Sequence, residues 1–415
     1  VRESFDARSG NANVRNTNIA VRGGADTWRG DGGKRFAHLG GRDGAEIALS
    51  GFMWNQARIV CLEARPLDIP LRSPFGIAGG AQTRAANALV ILELSDGTIG
   101  LGEAAPFPAY NGETQEQALR VVADASGAVV GREAGLGNWR QVASAFRTAG
   151  GANSGAAQCA FEMALLDALN TRAELPMWKY FGGADHTLET DMTVTTGSPA
   201  SSAEAARAIR QRGMRTIKVK VGGKAGTAHD LARLRAIHAA APDADLILDG
   251  NAGLSRADAA DLVLGLKSAG IAPILLEQWL ERDDLRGARE LAERSGWRLA
   301  ADEAARTAED VARLAEARAA QVVNIKLMKA GVAEALDLAQ AARKHGLGLM
   351  IGGNVESRLA MTCSACFAAG AGGFEFVDLD TPLFLAEDPF VGGMRYDAAR
   401  ISLGEISAGL GMRLA

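Results

Sequence analysis

The chain has 415 residues, longer than one hydrophobic core normally grows, so two domains, or a barrel with an added domain, are expected. Its 45 Lys and Arg nearly balance 49 Asp and Glu without long blocks of either sign, which excludes an electrostatic footprint for nucleic acid or an anionic membrane and leaves a small molecule as partner. No run of about 18 apolar residues occurs, the N-terminus lacks the apolar segment of a secretory signal, and there are only four cysteines, so a cytoplasmic protein is expected.

Residues 1–55 are rich in Gly, Arg, Asp and Asn with little apolar periodicity, and a disordered N-terminal extension is expected there. A strand-like run follows shortly after Met53, so a chain starting at Met53 should keep its activity and solubility; loss of either would show that the extension contributes. From 56 to 185 the pattern is strands first (59–67, 88–94, 99–103) and then helices, including 156–170, which predicts an α+β capping domain.

From 186 to 385 the texture changes to short β-type runs alternating with Ala-rich amphipathic helices: 192–196, 216–221, 246–249, 274–277, 299–302, 322–327, 348–351 and 374–378. Gly213, Gly270, Gly296 and Gly346 each stand just before the next strand, where a left-handed helix cap is needed. Eight such repeats predict an α/β protein with a closed (β/α)8-type barrel. An open doubly wound sheet is the alternative, but the glycines of 221–226 do not match a dinucleotide fingerprint. Residues 386–415 are expected to pack back on the capping domain. Cys363 and Cys366 lack a second Cys or His pair at zinc spacing and sit among Ser and Ala, which favours a small-residue helix face.

Barrel active sites lie at the C-terminal ends of the strands. There strand 2 carries Lys218 and Lys220, strand 3 Asp249, strand 4 Glu277, strand 5 Asp302 and strand 6 Lys326. Three like charges on adjacent strands repel unless a cation sits among them or each is paired locally. Oxygen ligands without His or Cys favour Mg2+, with calcium or manganese open. Strands 2 and 6 are opposite in a ring of eight, so Lys220 and Lys326 would flank one carbon, as a racemase or epimerase requires. Lys218 lies two residues from Lys220, on the same face, and its charge would favour a neutral, basic Lys220. Asp378 and Asp380 share a face at the end of strand 8 and suit a substrate ammonium; a helix N-cap is the other reading of Asp380, since Thr381-Pro382 follows. All five histidines fall in tails, loops or helices and none suits a base.

The segments Gly102-Glu103-Ala104-Ala105-Pro106, Lys218-Val219-Lys220, Asp249-Gly250-Asn251, Leu276-Glu277-Gln278, Ala301-Asp302-Glu303, Asn324-Ile325-Lys326-Leu327 and Asp378-Leu379-Asp380 resemble the enolase superfamily, and within it the dipeptide epimerases of the muconate-lactonising subgroup. The likeness runs from about Arg58 to the C-terminus. It implies an enolase-like modified barrel and an isomerase inverting the α-carbon of the C-terminal residue of an unblocked dipeptide, with Lys220 and Lys326 as acid/base pair. It further implies Mg2+ on Asp249, Glu277 and Asp302, and Lys218 beside the substrate carboxylate as it becomes an enediolate. The resemblance places the peptide's amino end on Asp378 and Asp380, and Thr195, Gly353, Asn354 and Val355 near the substrate backbone.

Relatives acting on Ala-Glu carry an arginine in the cap loop where this chain has 76–82. Unless Arg84 takes that place, small or apolar side chains are expected at the epimerised position. Trp279 stands where relatives commonly have proline, and is expected to narrow the pocket. Alternatives are a muconate-type cycloisomerase or o-succinylbenzoate synthase on the same scaffold, a Schiff-base aldolase using Lys326, and a non-catalytic barrel. A homo-oligomer is the expected working form.

Overall fold

Strands Ala57–Ile77 and Gly80–Leu94 pair as one long antiparallel ribbon, extended by Ile99–Ala104 on one edge and Glu133–Ala134 on the other. The computed structural model describes residues 56–77 and 80–415, so the extension expected over 1–55 lies outside the described residues. The ribbon is longer than its apolar alternation predicts. Prolines at 66 and 70, and the Gly, Ala and Arg of 80–86, hide strand character that cross-strand pairing supplies, through Asp68↔Ala86, Pro70↔Arg84 and Phe75↔Gln82. The segment read as a cap loop is therefore largely the end of this ribbon.

The sheet lies on helix Gly155–Arg172, in which 156–170 are all buried. An added Cβ at Gly100 or Gly102 would overlap the carbonyl oxygens of Ala164 and Ala160, so only glycine lets the strand approach the helix this closely.

Eight parallel strands follow in consecutive order, namely Met192–Val194, Thr216–Lys220, Asp245–Asp249, Leu275–Glu277, Leu299–Ala301, Val322–Ile325, Gly348–Ile351 and Phe374–Val377. The Asp191 N–H donates to the Val377 carbonyl at 2.9 Å, joining the first strand to the eighth and closing the ring. The protein is thus an α/β barrel with an added N-terminal sheet-and-helix layer. Each of the first seven strands is followed by a helix, whereas the eighth is followed by the short turn Thr381–Phe384. Side chains of Ser198, Ser255, Asp284, Thr307 and Ser357 cap barrel helices, and the four predicted cap glycines have φ of 69–83°.

After the turn, Ala386 N–H donates to Pro70 O at 2.8 Å, strands Arg395–Asp397 and Arg400–Ser402 add to Thr187–Glu189, and Met177 N–H meets Gly409 O at 2.9 Å. Cys363 and Cys366 lie on the buried helix Arg358–Ala371, and all four cysteines are free thiols. Among the described residues no helix is long and apolar enough to cross a membrane.

Two buried carboxylates join the layers. Glu162, on the long helix, accepts the N–H of Ala333 at 2.8 Å, at the start of the helix after strand 6. Glu103 accepts Asn87 Nδ2 at 2.6 Å, Ser357 N–H at 2.8 Å, Ser357 Oγ–H and Ala360 N–H at 3.2 Å, and so satisfies the first turn of the helix after strand 7. Glu103→Ala is expected to lower stability by about 2–4 kcal/mol, because several buried donors lose their acceptor at once. Thermal and denaturant unfolding check this, and a loss under about 1 kcal/mol would mean water replaces the carboxylate.

Candidate active site

Strand register sets the charged groups in a row. Lys220 pairs with Asp249, and Asp249 with Glu277, at the C-terminal ends of strands 2, 3 and 4. Asp302 follows the last residue of strand 5 and Lys326 the last of strand 6. All five are at most 5% exposed.

Their contacts form a buried ionic lattice. Lys218 Nζ lies 3.0 Å from Asp249 Oδ2, 2.7 Å from Glu277 Oε2 and 2.6 Å from Asp378 Oδ2. Lys220 Nζ is 2.6 Å from Asp249 Oδ2, and Lys326 Nζ is 2.8 Å from Asp302 Oδ2. Burial favours a neutral Lys218, but Asp249, Asp378 and Glu277 outweigh it and hold the ammonium well above the usual lysine range. Lys218 is therefore the counter-ion of three carboxylates. The sequence spacing shows Lys220 beside it but not these three acids. Lys326 is likewise raised, burial being overcome by Asp302 and then Glu277. Burial pushes Asp249 up, yet Lys218 and Lys220 bring it down to about 2; burial and Asp249 push Glu277 up to about 7.

Neighbours lock these side chains. Asn324 Nδ2 donates to Glu277 Oε1 at 2.8 Å, and Gln278 Oε1 accepts the N–H groups of Asp302 at 3.0 Å and Ala304 at 3.1 Å. Lys329 Nζ donates to Asp302 O at 2.8 Å, Asp302 Oδ1 at 3.1 Å and Asn324 O at 2.7 Å. Asn251, Ala252 and Gln278, just past Asp249 and Glu277, have positive φ of 41°, 58° and 36°, which is backbone strain concentrated at the barrel mouth.

The donor chemistry of Asp249, Glu277 and Asp302 fits a hard divalent cation: every candidate ligand is oxygen, and the buried Asn251 Oδ1 and Glu303 Oε2 beside them have no hydrogen-bond partner. The trio is not drawn tightly together, because the ammonium groups of Lys218, Lys220 and Lys326 stand among its oxygens. A tighter carboxylate group, Asp191 with Asp378 and Asp380, has oxygens within 4.8 Å of one another.

A narrow cavity opens onto this lattice. Lys220, Lys326, Asp378, Asp380, Gly353 and Asn354 line it, as the sequence reading anticipates. Phe75, Ile77, Phe107, Tyr110, Thr193, Asn251 and Thr381, which that reading did not single out, complete the wall. Tyr110 donates to Asp302 Oδ1 at 3.1 Å, and Lys326 Nζ sits 4.6 Å from its ring centre. The run Pro106-Phe107-Pro108-Ala109-Tyr110, directly after the cap motif, was the available signal. Thr195 and Val355 are not among the lining residues: the Thr195 carbonyl accepts Arg233 Nη2 at 2.7 Å, and that of Val355 accepts Asn87 Nδ2 at 3.0 Å.

Two alternatives left open by the sequence are decided, and the expectation for Trp279 is corrected. Asp380 does not cap the turn after it, since its Oδ2 instead accepts the N–H of Thr193 at 2.6 Å inside the barrel. Trp279 does not narrow the cavity. It is buried, donates from Nε1 to Leu248 O at 2.9 Å, and lies outside the lining. Arg84 does not reach the site, pairing with Asp68 at 3.6 Å on the exposed ribbon.

Comparison with known proteins supplies the family. Residues 61–182 match the mandelate racemase/muconate lactonizing enzyme N-terminal domain, and residues 200–415 the enolase C-terminal domain-like family. The chain belongs to the mandelate racemase/muconate lactonizing enzyme family of the enolase superfamily, and is an isomerase of the racemase and epimerase class. Within that family its relatives place it in the dipeptide epimerase group. It is 48% identical to an aromatic dipeptide epimerase of Herpetosiphon aurantiacus, over 86% of this chain and 99% of that protein. It is 32% identical to an L-Ala-D/L-Glu epimerase of Bacillus subtilis, over 83% and 94%. A dipeptide epimerase of Enterococcus faecalis, solved with Mg and L-Leu-L-Tyr, superposes with a TM-score of 0.81 at 31% identity, over 86% of this chain and 99% of that one.

Proposed function

We propose that this protein inverts the α-carbon of the C-terminal residue of unblocked dipeptides by moving one proton between two lysines. The observation that carries the reading is that Lys220 and Lys326, on strands four apart in a ring of eight, line one cavity together with Asp378 and Asp380. A carbon held between the two amines loses its proton to one and regains one from the other on the opposite face. Asp378 and Asp380 take the amino end, which fixes how far along the peptide the reacting carbon falls. Lys218, between Asp249, Glu277 and Asp378, lies where the substrate carboxylate gains charge, and its ammonium offsets that charge. Asp249, Glu277 and Asp302 would hold Mg2+, which when bound supplies stabilisation of the negative charge that develops as the α-proton leaves.

The residue at the epimerised position is apolar, including aromatic. Phe75, Ile77, Phe107 and Tyr110 offer apolar surface, no arginine among the described residues lines the cavity, and relatives carry the names aromatic and hydrophobic dipeptide epimerase. Solvent deuterium incorporation across an L-Ala-L-Xaa panel tests both statements. Phe, Tyr, Leu and Met are expected to exceed Glu by at least about tenfold in kcat/KM, since burying a carboxylate unpaired costs more than 1.4 kcal/mol. Glu as best substrate would overturn the specificity, and silence across the panel would overturn the activity.

A further inference from the structure

Asp191 has no part in the chemistry above, yet it is the least satisfied acid in the described structure. It is 1% exposed, and neither Oδ1 nor Oδ2 has a hydrogen-bond partner. It stands two residues before Thr193, which lines the cavity, so both side chains point into the barrel from one face of strand 1. Its backbone bond to Val377 closes the ring and brings it beside Asp378. Oxygens of Asp191, Asp378 and Asp380 all lie within 4.8 Å of one another, and Asp380 Oδ1 is also buried without a partner.

Three carboxylates this close cannot all stay ionised without a cation among them. Lys218 reaches Asp378 at 2.6 Å, but its charge is divided with Asp249 and Glu277, so the cluster keeps an excess of negative charge. Burial, then Asp378 and Asp380, push the Asp191 carboxyl well above the usual range, as an uncompensated acid requires. In a triangle of this size a nitrogen at the centre lies about 2.8 Å from each corner, the length of a charge-assisted hydrogen bond. A primary ammonium has three N–H donors, one for each acid.

We propose that Asp191, which stands behind the lining residues Asp378 and Asp380, is the third acceptor of the amino-end site, so that the three acids form a cradle selecting a primary ammonium over a secondary or acylated one. The proposal rests on the dipeptide reading above.

It is tested first on the unaltered enzyme with L-Ala-L-Phe and its N-methyl, N,N-dimethyl and N-acetyl forms. Each methyl keeps the charge and removes one donor, so KM is expected to rise about tenfold per step, one hydrogen bond to a charged group each time. A KM unmoved by the first methyl would overturn the cradle, because two acceptors need only two donors. Second, Asp191→Asn should raise KM for L-Ala-L-Phe by about 10- to 100-fold with kcat changed less than about threefold, and shrink the preference over the N-acetyl form by the same factor. A loss confined to kcat, or an unchanged preference, would overturn the assignment. Should Asp191→Asn not fold, the methylation series decides alone. Calorimetric titration with Mg2+ adds a third arm: a second bound equivalent that disappears in Asp191→Asn would make this a metal site and overturn the proposal. An unaltered enzyme that exchanges no unblocked dipeptide would instead bring down the parent reading.

Discussion

Lys326→Ala and Lys220→Ala are each expected to abolish inversion, lowering kcat by at least about a thousandfold, while each retains half of the chemistry. If the two amines serve opposite faces of one carbon, the variant lacking one base still removes the proton presented to the other. Each variant should then exchange the α-proton of one stereoisomer with solvent deuterium without inverting it, and the two variants should choose opposite stereoisomers. Exchange followed by NMR, with L-Ala-L-Phe and L-Ala-D-Phe as substrates, checks this. A single-base mechanism would leave one variant silent toward both isomers and the other near full activity. Both substitutions also remove the nearest ammonium of a carboxylate, 2.8 Å from Asp302 and 2.6 Å from Asp249, leaving Lys329 and Lys218 there at 3.1 and 3.0 Å, so Lys→Arg or Lys→Gln variants are the controls for local collapse.

Chelation of divalent metal, or Asp249→Asn or Asp302→Asn, is expected to cost at least about a hundredfold in kcat/KM, with Mg2+ restoring the chelated wild type but not the variants. The same substitutions should differ from chelation in stability. Removing the Asp249 charge takes from Lys220 its counter-ion at 2.6 Å and from Lys218 one of three, at 3.0 Å, a loss of about 3 kcal/mol or more in a fully buried setting. Thermal unfolding in the presence of chelator should therefore separate Asp249→Asn from the wild type. Full activity after exhaustive chelation would refute the metal assignment, and equal midpoints would mean that the two lysines find other partners.

The parts of the site that were legible in the sequence share one physical basis. A barrel strand buried on both faces reads as an apolar run, so a charge at its end is conspicuous: Lys220, Asp249, Glu277, Asp302 and Lys326 each interrupt such a run. The α/β repeat fixes which strand each belongs to, and the cap glycines mark where each helix must stop. From order alone, Lys220 and Lys326 fall on opposite sides of a closed ring. The long helix Gly155–Arg172 was legible from apolar residues at helical spacing over 156–170.

Other features depended on pairings between residues distant in the chain. The cap ribbon extends to Ile77 and Gly80 because one strand supplies hydrogen bonds to the other, and local propensity around Pro66 and Pro70 opposes the extension; Phe75 and Ile77 reach the cavity only through it. Trp279 was misjudged, and Asp380 stood between two readings, because a side chain at a strand end has two directions open to it. The Leu248 carbonyl and the Thr193 N–H, both on other strands, decide between them. The partners of Lys218 were hidden for a related reason, as sequence spacing records its neighbour Lys220 but not the three acids that converge on it. Asp191 gave no sign of itself: it lies at the start of strand 1, 187 residues before Asp378, and meets it only when strands 1 and 8 close the ring. Periodicity and strand-end charge are local properties and can be read along the chain, whereas the counter-ion of a buried charge is settled by closure of the barrel, which no single segment encodes.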